Sequence, residues 1–196
     1  MVKSKMRWST YLIILSIVFL PLILLSWYFD RGTWATNPPL SIFLAVIPAI
    51  LGYLLRMDIP TLHASIIFIT SVLHCGGGAM GLYHYRLWDH TVHFLAGAVV
   101  ALFGLSVADT ILTKLKYASR PKKRVLVGLF AFISAVVAGL LWEGLEWFGG
   151  NYLGTVQYGI EDTVGDIISD AVGGLAVAIS AISCSYIWKI SQLDVE

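Results

Sequence analysis

Residues 125–142 read VLVGLFAFISAVVAGLLW, and none of these 18 side chains is charged. Residues 11–28, YLIILSIVFLPLILLSWY, form a second uncharged run. An apolar stretch of roughly 18 residues or more can cross the hydrocarbon core of a bilayer as a helix. In that solvent every backbone N–H and C=O must be satisfied within its own segment or in a closed barrel. No part of the chain alternates polar and apolar residues as barrel strands do, so helix is the expected state of every span.

Six spans are expected, at about 11–28, 40–55, 61–82, 91–112, 125–148 and 162–188, the second of them short. Pro21 and Pro48 fall inside spans, where neighbouring helices tolerate a kink. The composition agrees, with 58% apolar and 13% charged residues. The expected fold class is therefore all-α: a polytopic integral membrane helical bundle of about six transmembrane helices. A single transmembrane domain is expected over residues 1–196, without long linkers, low-complexity tracts or internal repeats. Lack of repeats weighs lightly against an inverted-repeat transporter. The basic start MVKSKMR leads into an apolar run too long for a cleavable signal, so none is expected.

Lys and Arg set the orientation. Lys3, Lys5, Arg7, Arg56, Lys114, Lys116, Arg120, Lys122, Lys123, Arg124 and Lys189 fall on one side of the expected layout, and only Arg31 and Arg86 on the other. Both termini are thus expected in the cytoplasm, in a multi-pass protein of the cell membrane. Trp27, Trp88, Trp142, Trp147 and Trp188 lie near span ends, where interfacial aromatics belong. A net charge of +1, with its basic residues in loops, says nothing about nucleic acid, and no nucleic-acid partner is expected. The lipid bilayer is the expected partner, and a homo-oligomer stays open. Cys75 and Cys184 fall in different spans and read as small core residues.

Of the twelve acids, seven collect on spans four to six or their outer edges: Asp89, Glu143, Glu146, Glu161, Asp162, Asp166 and Asp170. Span three adds His74 and His84 near its outer end, and span four adds His93. Asp89 and His93 are i and i+4, Glu143 and Glu146 are i and i+3, and Asp162 and Asp166 are i and i+4, so each pair shares a helix face. Asp170 continues the last stripe ~12 Å further along its helix. Carboxylates gathered in a low dielectric need a counter-charge. A metal ion, bound protons or protonated His can supply it. Facing-helix carboxylates with His at helical spacing are how bundles build metal sites. Hard oxygen plus imidazole suits Zn, Mn, Fe or Mg over copper.

The plainer readings differ by residue. His90 lies off the Asp89 face and reads as interfacial, and His84 as a loop residue. His63 reads as a capping or headgroup-facing residue at the inner side, and Asp109 as a solvated or structural acid near the inner end of span four. Glu161 is as readily a solvated helix-start residue as a ligand. The GGG at 76–78, with Gly97, Gly104, Gly173 and Gly174, reads as close helix packing, with an unwound hinge as the alternative.

From Leu73 to Ala178 the chain resembles the YjdF-type family of small inner-membrane proteins. The marks are His74 with GGGAMGLYHY, WDHTVHFLAG, WEGLEWF, and the GT at 154–155 followed by EDTVGDIISDAVGG. The resemblance implies a helical membrane protein and carries over Asp89, His93, Glu143, Glu146, Asp162, Asp166 and His74, but it names no reaction. More loosely, the layout is similar to VanZ-like membrane proteins, in which Asp and His start one helix and a later helix carries an Asp near small residues.

Three functional classes follow. The first is a divalent-metal site at the outer-leaflet ends of helices three to six. Its expected ligands are Asp89, His93, Glu143, Glu146, Asp162, Asp166 and His74, with Glu143 and Asp166 as catalytic candidates. Such a site would serve a metal-dependent hydrolase or transferase acting on a lipid-linked or small-molecule substrate. The second is a proton- or cation-coupled transporter, with the acids as a relay. The third is a non-catalytic membrane scaffold whose acids lock helices together.

Overall fold

The computed structural model describes residues 8–28, 61–115, 120–152 and 158–183, together with Val46, Ile50 and Leu54. Most of the second expected span lies outside the described residues, as do Cys184 and the GT at 154–155. The described chain is helical: α1 (Trp8–Tyr28), α2 (Thr61–Met80), a 3-10 turn (Leu82–His84), α3 (Arg86–Lys114), α4 (Arg120–Tyr152) and α5 (Ile160–Ser183). Helices α3, α4 and α5 correspond to the fourth, fifth and sixth expected spans. Within the described residues, three segments are long and apolar enough to cross a membrane: Arg86–Lys114, Lys122–Tyr152 and Ile160–Ser183.

These three helices pack mutually; α2 lies against α3, and α1 against α2. Helix α5 shows why the bundle needs lipid around it. Val164, Ile168, Val172, Leu175 and Ile179 stand exposed at helical spacing, whereas Asp166, Asp170, Gly173 and Gly174 are buried. An apolar stripe turned outward over a polar and small-residue interior suits hydrocarbon as the solvent and would be a liability in water. Hydroxyls within the helices satisfy themselves locally. Ser71 donates to the Ile67 carbonyl at 2.8 Å, Thr110 to Ser106 at 2.9 Å and Ser169 to Gly165 at 2.9 Å.

The chain reverses between α2 and α3 through Gly81, whose φ of 70° is a left-handed conformation that favours glycine. The 3-10 turn follows, and extended Tyr85 leads directly into α3. Helix α3 begins at Arg86, so Asp89 lies in its first turn. The start of α3, the end of α4, the start of α5 and the end of α2 therefore share one end of the bundle. Further along, Ala101, Leu105 and Ala108 of α3, Val127, Ala131 and Ala135 of α4, and Ala181 of α5 form a closed apolar layer. At the opposite end Asp109 of α3 pairs with Lys123 of α4.

Candidate functional site

Helix α5 meets α3 closely because glycines remove the side chains between them. A Cβ on Gly97 would overlap the Asp170 backbone, and one on Gly173 would overlap the Phe94 carbonyl. On α4, a Cβ on Gly139 would lie 2.6 Å from Asp170 Oδ2. These glycines set the register that puts the acids of α5 beside the histidines of α3. Gly77 plays the same part for Trp88, and the glycine run at 76–78 lies in unbroken helix.

The register builds a compact cluster. Asp89 and His93 of α3 and Asp166 of α5 are buried, and each offers one donor atom within 4.8 Å of the other two. His93 Nε2 lies 3.6 Å from Asp89 Oδ1 and 3.8 Å from Asp166 Oδ2. Its other nitrogen, Nδ1, is 3.1 Å from Asp170 Oδ2. The carboxylate at Nδ1 orients the ring and turns Nε2 toward the two remaining acids. Asp166 is divided in the same way. Its Oδ1 lies 3.0 Å from His90 Nδ1, while Oδ2 faces His93.

The remaining expected site residues surround this core. Glu143 is buried; Thr163 interacts with it from α5, yet its Oε1 is enclosed and accepts no hydrogen bond among the described residues. Glu143 and Asp162 both sit within electrostatic range of His93 and Asp166. Glu146 accepts a 2.9 Å hydrogen bond from Trp142 Nε1. His74 lies edge-on to Trp142 at 5.1 Å and tilted against Tyr83 at 5.5 Å. The compact triad thus takes three of the seven expected ligands, while Glu146 and His74 engage aromatic neighbours.

Two residues hold roles that their spacing did not suggest. His90, expected at the interface, instead reaches Asp166. The available signal was Gly165, beside Asp166, where a Cβ would meet the His90 ring at 2.5 Å. Asp170 is the partner of His93. Tyr83, outside the spans, donates to the His74 carbonyl at 3.3 Å. Burial, with Asp89 and Glu146 adding to it, pushes its phenol well above the ordinary value, so it stays a neutral donor. At the rim, Tyr158 and His84 bond at 3.0 Å, and exposed Arg86 and Glu161 pair at 3.7 Å. Asp109, expected to be solvated or structural, is buried against Lys123. Cys75 is fully buried among Tyr11, Leu15 and Ile67, away from the cluster. The side chain of His63 lies outside the described residues.

Beside His93 and Asp170 a cavity of about 100 Å³ opens among His74, Val92, Ala96, Val100, Ala138, Gly139 and Trp142.

No curated protein and no solved structure matches the chain. A family model described as "Predicted membrane protein (DUF2238)" matches residues 10–185, a span that includes every residue of the cluster. The chain belongs to this family of YjdF-type membrane proteins.

Proposed function

We propose that the cluster is a divalent-metal site at the outer leaflet of a six-span protein of the cell membrane, with both termini in the cytoplasm. Asp89, His93 and Asp166 are its ligands. The observation that carries this reading is the set of donor separations around His93 Nε2, 3.6 and 3.8 Å. Ligands about 2.1 Å from a tetrahedral ion stand roughly 3.4 Å apart, so a small inward adjustment closes a three-ligand site. Two carboxylates balance the charge of a dication. Asp170 on His93 and His90 on Asp166 are the outer partners that orient such ligands. Zn, Mn, Fe or Mg suits the donor set.

Three protein ligands leave a coordination position open, and a divalent ion there would act as a Lewis acid and activate water. Glu143, with its buried Oε1 unpartnered, is the base beside it. Hydrolysis or group transfer on a lipid-linked substrate is the reaction class that follows. The apolar layer from Ala101 to Ala181 supports a blind site over a transport path, because it separates the cluster from Asp109 and Lys123. A second reading has one observation in its favour: Asp89, Asp166 and Asp170 all approach the His93 ring, so a protonated His93 can serve as the cation itself. Elemental analysis of purified protein separates the two. The metal reading expects about one ion per chain in the wild type and none in Asp166→Asn; a metal-free wild type would leave the protonated histidine.

A further inference from the structure

We infer that the cavity beside His93 receives the first carbons of a single hydrocarbon chain, the apolar part of the lipid-linked molecule whose polar part meets the cluster. This rests on the function proposed above and adds where, and how far, the tail enters. Val92, Ala96 and Val100 line one wall at i, i+4 and i+8 of α3, and Ala138, Gly139 and Trp142 line the opposite wall on α4. His74, His93 and Asp170 lie at the polar margin. The polar atoms of His93 and Asp170 already face each other at 3.1 Å.

Water is a poor occupant, because a trapped water needs two to four polar partners and six of the nine lining residues, Val92, Ala96, Val100, Ala138, Gly139 and Trp142, offer methyl groups, a bare backbone and an indole. Headgroups are excluded for the same reason. Hydrocarbon fits. Apolar cavities of about 150 Å³ elsewhere bind benzene, so about 100 Å³ accepts a short length of one chain and neither a ring system nor two chains. Small residues set the width: Ala96 and Ala138 stand where larger side chains would fill the space. Its α3 wall runs from Val92 to Val100, away from the start of the helix, and the apolar layer at Ala101, Leu105 and Ala135 comes next along α3 and α4. An amphiphile therefore enters tail inward, with its polar linkage held at the level of His93.

The test uses the full chain in nanodiscs of phosphatidylglycerol containing a small fraction of phosphatidylglycerol with a diazirine near the start of one acyl chain. After photolysis, labelled residues are mapped by mass spectrometry, with lipid-facing Leu141 as the internal reference. Labelling is expected at Val92, Ala96, Val100 or Trp142, and Ala138→Phe is expected to lower it about tenfold relative to Leu141. Ala96→Leu, on the opposite wall, is expected to lower it in the same direction and serves if Ala138→Phe does not fold. Label confined to Leu141 and other lipid-facing positions, or a cavity signal that both variants leave unchanged, would overturn the inference. Metal content is measured on the same samples. A metal-free wild type that still labels the cavity removes the proposed ion and leaves the tail site standing; a metal-bound wild type without cavity label does the reverse.

Discussion

Helix α3 buries an aspartate near each end, and the two are treated differently. Asp109 is 6% exposed and pairs with the ammonium of Lys123, which also donates to Thr113 at 2.8 Å. Asp89 is 5% exposed and faces His93, with Asp166 beyond. Arg86 lies nearby, but it is spent on exposed Glu161 at the rim. One end of the helix carries its own permanent cation; among the described residues, the other end shows carboxylates and imidazoles. A buried acid without a partner is costly, and a carboxylate cluster that persists in a low dielectric needs a positive charge from elsewhere. The difference separates a paired structural acid from a proposed ligand better than burial does, since burial of the two is nearly equal.

The contrast can be broken from either end. The largest effect is expected at the cluster. His93→Gln removes the central donor, and bound metal should fall from about one per chain to below detection by elemental analysis. Retained stoichiometric metal would remove the distinction between the two ends. Next comes Lys123→Met, which strands Asp109 and should cost about 3–5 kcal/mol in detergent unfolding, while Asp109→Asn combined with Lys123→Met should recover most of it. Metal content should not change in either. Asp170→Asn tests the outer partner of His93: metal affinity should fall about 10- to 100-fold by competition with a chelator, while the fold survives. The smallest effect is expected at the rim, where Glu161→Gln breaks an exposed pair with Arg86 and should change stability by less than about 1 kcal/mol.

Much of this contrast is legible in the sequence, for identifiable reasons. A run such as 125–142 has one physical state in lipid, so the helices follow from length and hydropathy. Asp89 with His93 and Asp162 with Asp166 are pairs on one face of a helix, and their convergence follows from antiparallel connections. What spacing does not supply is rotamer and inter-helix register. Glu143 and Glu146 have the same spacing signal, yet Glu143 stays buried with a free oxygen while Glu146 binds Trp142 on its own helix. His90 lies 100° around the helix from Asp89, which makes it look peripheral. It reaches Asp166 because Gly165 lets α5 come close enough to touch that side of α3. The bond between His93 and Asp170 depends on Gly97 and Gly173 in the same way. The glycines were readable as packing residues, but which acid each would deliver to which histidine required the assembled helices.

The most direct test is X-ray absorption at the edge of whichever metal copurifies with the wild-type protein. The account predicts a shell of oxygen and nitrogen donors at about 2.0–2.2 Å, with one imidazole and no sulfur, and its loss in Asp89→Asn. A sulfur shell, a fully hydrated ion, or wild-type protein that holds no metal would contradict it.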